Sequence, residues 1–192
     1  MRLLLVIATT FILAACTTTQ VTTGYYDLEG QTGEELDRQI RLKGPAQGHA
    51  LASAAIRFKP VGIDFREDDR GCRVSRAAIQ VIANITLPRW TNRLGSEPEL
   101  RAAFNELQRY ARVHEQTHVR IAEAAARDME RSLKALSPSS TCKALDRRVE
   151  RTVKAILKKH DRAQKAFDAA EAKRLAAIYA AADNRQRRSG TS

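Results

Sequence analysis

The chain has 192 residues and a formal net charge of +11 at pH 7, and 5% of its residues are aromatic. This length suits one domain with a modest core rather than several domains. A basic chain can bind nucleic acid, but neither a base-stacking aromatic pattern nor a basic region with a dimerisation repeat is present. We therefore expect no nucleic-acid partner and interpret the charge as Lys and Arg on solvated helices.

The N-terminus has the features of an export signal. A positive start precedes an apolar run over residues 3–13, which is too short to span a bilayer. Residues 13–16 read Leu-Ala-Ala-Cys and resemble the lipobox of bacterial lipoproteins. The resemblance implies that residues 1–15 form a signal peptide and that Cys16 carries lipid. The alternative is a plain secretory signal that happens to end in cysteine.

The residues after this cysteine suggest where the protein is held. Thr17, rather than Asp, follows Cys16. In lipoproteins of double-membraned bacteria this favours the periplasmic face of the outer membrane. Residues 16–23 are polar and repetitive and predict a flexible tether. We expect a single folded domain over residues 24–183.

Two cysteines remain in the exported chain, Cys72 and Cys142. They lack the C-x-x-C spacing of a zinc knuckle, and two cysteines in an exported protein usually pair. We predict a Cys72–Cys142 disulfide that joins the central sheet to the turn between two C-terminal helices.

Residues 24–90 are mainly of β type. Thr32 and the residues after it open a short helix, which Gly44-Pro45 ends. The clearest strand follows, with apolar residues at every odd position from 77 to 87. A period of two is typical of a half-buried strand, and the region predicts an antiparallel β-meander.

Residues 96–183 are helical. Apolar stripes at 3.6-residue spacing occupy residues 100–136 and 145–178, and a Ser-Pro-Ser-Ser break at 137–140 separates them. Two long helices joined by a short break predict an antiparallel hairpin. The expected fold class is therefore α+β, with a β-meander and a short helix packed on a helical hairpin. Residues 184–192 are polar and basic and predict a disordered tail.

The most specific motif is His114-Glu115-Gln116-Thr117-His118, an H-E-x-x-H sequence in the first long helix. Residues i and i+4 share one face of a helix, so both histidines can bind one metal ion. Glu115 lies about 100° round the helix, where it can contact an activated water without binding the metal. The motif predicts a zinc hydrolase with Glu115 as general base. The alternative is a pair of core histidines beside a surface carboxylate.

A metal ion needs a third protein ligand, and the sequence leaves its identity open, with the main candidates on the second helix. A short turn between the helices places His160 opposite His118, whereas a longer loop places Glu171 opposite His114. Glu171 is a carboxylate on an otherwise apolar stripe, where an unpaired charge is costly. Asp168 lies beside that stripe. We expect Glu171 to be the third ligand, with Asp168 and His160 as alternatives.

These landmarks together resemble a bacterial domain of unknown function whose members are described as predicted secreted zinc-dependent proteases. The resemblance covers about residues 25–171 and implies a metal-dependent peptidase. Its landmarks are Gly33-Glu34-Glu35-Leu36, Gly44-Pro45, Gly71-Cys72-Arg73-Val74, Thr86-Leu87-Pro88-Arg89-Trp90, the H-E-x-x-H motif, Cys142 and Phe167-Asp168-Ala169-Ala170-Glu171.

The chain departs from that family at one point. Many members place a histidine shortly after the aromatic-Asp pair, and that histidine is a natural third ligand. The corresponding positions here are Glu171, Lys173 and Arg174. Either Glu171 or Asp168 therefore completes the site, or the site is degenerate.

The sequence thus predicts an envelope peptidase with one Zn²⁺ per chain, held to the membrane by its N-terminal lipid. Its substrate is expected to be an amide bond in a peptide or in a cell-wall cross-link. The competing hypothesis is a non-catalytic lipoprotein whose structural or degenerate metal site binds a protein or cell-wall partner. A closed four-ligand site favours the second hypothesis, and a site with an open position favours the first.

Overall fold

The computed structural model describes residues 18–189, with side chains described as far as residue 181. The predicted signal peptide and Cys16 lie outside this part of the chain. The elements in order are β1 (Thr19–Leu28), α1 (Gly33–Lys43), the single turn α2 (Pro45–Gly48), β2 (Ser53–Asp68), β3 (Gly71–Trp90), α3 (Pro98–Lys134) and α4 (Cys142–Ser189). The predicted α+β class is confirmed.

The three strands form one sheet in the order β1-β3-β2. The predicted antiparallel meander holds for β2 and β3, which form a hairpin, but not for β1, which pairs with β3 in parallel. The cause is the path of the chain. Helix α1 carries it from β1 to the opposite edge of the sheet, and the hairpin then returns it to the middle in the direction of β1.

Register shifts explain why the apolar alternation changes parity along β2. One shift lies between Pro60 and Gly62, and a second lies between Asp64 and Phe65. A one-residue shift turns the following side chains to the opposite face of the sheet. The apolar residues of β2 are therefore even-numbered before the first shift and odd-numbered after it (Ile56 and Phe58, then Ile63). On β3 the odd positions from 77 to 87 are buried, as predicted.

The helical hairpin packs on one face of this sheet. Met129 of α3 and Ile156 of α4 share a core cluster with Ile79 and Val81 of β3. At the turn of the hairpin, Cys72 and Cys142 form the predicted disulfide. The backbone of Cys72 also exchanges two hydrogen bonds with Ser139, at 2.8 and 2.9 Å. The end of the sheet is therefore fixed to the break between the two helices.

Two segment boundaries differ from the prediction. Residues 19–23, assigned above to the tether, belong to β1, because their Thr and Val side chains favour an extended backbone and the edge of β3 is open to pairing. Helix α4 continues through the predicted tail to Ser189, where Ala, Arg and Gln are good helix formers. Within residues 18–189, no helix combines the length and apolar character needed to cross a membrane.

Candidate metal centre

The H-E-x-x-H motif lies in the middle of α3, facing the groove between the sheet and α4. His114 and His118 are one turn apart, and their Nε2 atoms are 3.1 Å from each other. Their side chains are 19% and 14% exposed, so both open to the groove while most of each ring is covered. The predicted sharing of one helix face by the two histidines is thus observed.

Asp168 on α4 completes a group of three donors. Its Oδ1 is 2.9 Å from His118 Nε2 and 3.4 Å from His114 Nε2. Among residues 18–181, these three are the His, Cys, Asp or Glu side chains close enough together to hold one metal ion. Their carboxylate and imidazole atoms are the donor types that zinc accepts.

The spacing of these donors provides a test of fit. Two ligands of a tetrahedral zinc ion, each about 2.1 Å from the metal, are about 3.4 Å apart. The three observed separations, 2.9, 3.1 and 3.4 Å, lie close to that value. The three residues therefore fit one face of a tetrahedron, and the fourth corner points away from the protein ligands.

The packing around the two histidines is aromatic, and burial favours the neutral, metal-binding form of His114. The ring of Phe167 lies 4.8 Å from that of His114 and 5.1 Å from that of His118. Burial, followed by repulsion from His118, lowers the pKa of His114. Its Nδ1 is buried and has no hydrogen-bond partner within the described part of the chain.

Glu115 lies within the protein, contrary to the alternative of a surface carboxylate. Only 5% of the residue is exposed, although it lines the same groove as the three donors. Burial raises its pKa to about 6, an effect that the charge of His118 opposes. Its carboxylate is not one of the three converging donors, which is the arrangement expected of a general base.

The groove above these residues has a volume of about 540 Å³. Its floor is the motif on α3, one wall is α4, and the other wall is the start of β2 with the residues just before it. The wall residues are Ala50, Ala52, Ser53, Ala54, Ile56, His160, Gln164 and Asp168.

Glu171, the expected third ligand, lies outside the donor group. Its carboxylate accepts hydrogen bonds from Tyr110 at 3.1 Å and from Arg174 at 2.8 and 2.9 Å. The Arg174 guanidinium is the main reason that its pKa falls to about 2. Asp168, one of the two alternatives, is the third donor instead of Glu171. The reason is that the register between the two long helices lies between the two registers that the sequence analysis considered.

His160, the other alternative, also lies outside the donor group. Its Nε2 is 2.8 Å from Gln164 Nε2, and its ring packs edge-on against Phe58 at 5.0 Å. His160 is connected to the motif only indirectly, through Gln164, whose Oε1 is 2.6 Å from His118 Nδ1. Sequence reasoning missed the contact between Gln164 and His118, since only the hairpin register brings them together.

Comparison with protein families matches residues 23–176 to a family described as Bacterial protein of unknown function (DUF922). The chain belongs to this family. The match confirms the resemblance inferred from the sequence landmarks, and it covers the three donors, Glu115 and the sheet except for the start of β1. Neither the curated proteins nor the solved structures provide a significant match.

Proposed function

We propose that this member of the family is a zinc-dependent amide hydrolase of the cell envelope. The observation that carries the proposal is the face of three donors on His114, His118 and Asp168, beside a buried Glu115 on the floor of an open groove. Three protein ligands leave a tetrahedral ion one open position, as catalytic zinc sites require. A structural site would instead need a fourth donor, and none converges with these three among residues 18–181.

The residues around the groove would have two roles in hydrolysis, metal binding and proton transfer. Zinc held by the three donors would polarise the amide carbonyl and acidify water. Glu115 accepts a proton from the attacking water on a carboxylate oxygen and returns it to the leaving nitrogen. Because Glu115 is nearly enclosed, its carboxylate keeps few bulk water neighbours and holds its position for the transfer.

An extended peptide suits the groove best, because β2 is an edge strand whose start forms one wall. Successive residues of a strand direct their backbone N–H and C=O groups to opposite neighbours. Val81 donates its N–H towards β1, so the even-numbered residues of β3 next to it direct theirs towards β2. Arg57 lies opposite Ile82, so its backbone N–H and C=O groups point towards β3. The even-numbered residues Ala54 and Ile56 therefore direct their N–H and C=O groups to the free edge of β2. A polypeptide can add to this edge as a further strand.

The proposed setting is the periplasmic face of the outer membrane, and it is supported by the Leu-Ala-Ala-Cys sequence at residues 13–16. Thr19, the first residue of β1, follows Cys16 by only three residues. A fully extended link of that length spans about 10 Å. Lipid on Cys16 would therefore hold the domain against the membrane, where its substrates would be neighbouring envelope proteins.

The proposal is tested by measuring zinc content and peptide hydrolysis on protein purified without the lipid anchor. We expect about one zinc per chain in the wild type and none in His114→Ala/His118→Ala. Glu115→Gln should keep the zinc and lose roughly 100-fold or more of the hydrolysis rate. Absence of zinc after incubation with the metal would overturn the metal site. Undiminished hydrolysis by Glu115→Gln would overturn the role of Glu115, and zinc without hydrolysis of any peptide would favour the partner-binding hypothesis.

A further inference from the structure

Gln164 has only one orientation that satisfies its neighbours. Its Nε2 is 3.2 Å from the backbone oxygen of His118, an atom that can only accept a hydrogen bond. The amide nitrogen must therefore face that oxygen. Its second hydrogen points to Nε2 of His160, at 2.8 Å. With both hydrogens used, the carbonyl Oε1 is left to face His118 Nδ1.

This orientation places a hydrogen on Nδ1 of His118. Oε1 of Gln164 can only accept, so the contact of 2.6 Å requires a hydrogen on Nδ1 of His118. In the neutral ring the other nitrogen, Nε2, then has a free lone pair. That nitrogen faces Asp168 and His114 in the donor group. His160 in turn is held edge-on by Phe58 of β2, so the contacts link α3, α4 and the sheet.

We propose that Gln164, supported by His160, is a positioning residue that keeps the proton of His118 on Nδ1 and so leaves Nε2 available to the metal. The inference rests on the proposed function for the identity of the metal. His114 provides the contrast, because its Nδ1 has no partner within the described residues. The two histidines of the motif are thus oriented by different means, one by a hydrogen bond and the other by packing.

The first test is the position of the proton, read from ¹H–¹⁵N spectra of the histidine rings in metal-free and zinc-loaded protein. We expect a His118 Nδ1–H signal with slow solvent exchange in both states, and its loss or rapid exchange in Gln164→Leu. A metal-free wild type in which His118 carries its proton on Nε2 alone would overturn the proposal. This reading does not depend on zinc, so a failure of the metal site would not be mistaken for a failure of the hydrogen bond.

The second test is zinc affinity, measured by competition with a chelating dye. Loss of an orienting partner typically weakens metal binding about 10- to 100-fold, and we expect this for Gln164→Leu. Gln164→Asn, whose shorter amide remains polar, should show the same loss if the leucine variant does not fold. The exposed Gln116 supplies a matched control, and Gln116→Leu should bind zinc as the wild type does. Equal affinity of all four proteins would contradict the positioning role.

Discussion

Helix α4 can be divided at Ile156 into a first and a second half, which differ in how deeply their side chains are packed into the protein. Up to Ile156 the helix inserts apolar side chains between α3 and the sheet, with Leu145 fully buried and Val149 5% exposed. Beyond Ile156, no side chain described on this helix is buried. The first half lies between the disulfide and the core, whereas the second half carries Asp168 and Gln164 over an open groove. Stability and the proposed chemistry therefore depend on different parts of one helix.

The largest effect on folding is expected in the first half. Leu145→Ala removes a side chain from the cluster that contains Cys72, Val74 and Leu133. Such a change leaves a cavity and should lower the free energy of unfolding by about 3 kcal/mol, measured by urea titration. Leu157→Ala is the matched control, because Leu157 is 39% exposed, and it should cost less than about 1 kcal/mol. Equal losses in the two variants would contradict the difference between the halves.

The next effect is on metal binding and belongs to the second half. Asp168→Ala removes one of the three donors and should weaken zinc binding by roughly 100-fold or more. The side chain of Asp168 is 54% exposed, so the unfolding free energy of the metal-free protein should change by less than about 0.5 kcal/mol. Zinc affinity is measured by competition with a chelator, and stability by urea titration.

Two further variants make this measurement specific for Asp168. Asp161→Ala alters an aspartate that pairs with Lys165 on the surface of the same helix, so zinc affinity should be unchanged. Glu171→Ala tests the ligand expected from the sequence and should likewise retain zinc, because that carboxylate is engaged by Tyr110 and Arg174. Loss of zinc in Glu171→Ala but not in Asp168→Ala would reverse the assignment.

The same contrast explains how much of the molecule was predictable. The period of two in β3, the Gly44-Pro45 stop and the break at residues 137–140 are local signals, and each produced a correct element. The spacing of His114 and His118 is also local, because it follows from helix geometry alone. The Cys72–Cys142 pairing could be predicted because these two cysteines remain once Cys16 is assigned to the predicted lipid anchor.

What could not be predicted depends on distances between elements. The direction of β1 depends on which edge of the sheet the chain reaches after α1, and periodicity carries no such information. The third donor depends on the register between two helices, where a shift of one turn exchanges His160, Gln164 and Asp168 as partners of His118. The contact between Gln164 and His118 fixes that register, but it exists only in the folded hairpin.

The smallest effect expected is on substrate binding at the wall opposite α4. Ala54→Pro removes an N–H that the strand register directs to the free edge of β2, so the β2–β3 ladder keeps its hydrogen bonds. If a peptide adds to this edge, loss of one hydrogen bond should raise KM for an extended peptide about tenfold. Ala54→Val is the matched control, because it enlarges the side chain but retains the N–H, and its KM should stay within about threefold of the wild type.

The measurement is steady-state hydrolysis of one peptide by the three proteins, with unfolding curves recorded alongside. An equal rise in KM for both variants would mean that β2 acts on the substrate only through the shape of the groove, and the proposed strand addition would be wrong. A rise confined to the proline variant would identify the main chain of β2 as the element that selects an extended polypeptide for the site on α3 and α4.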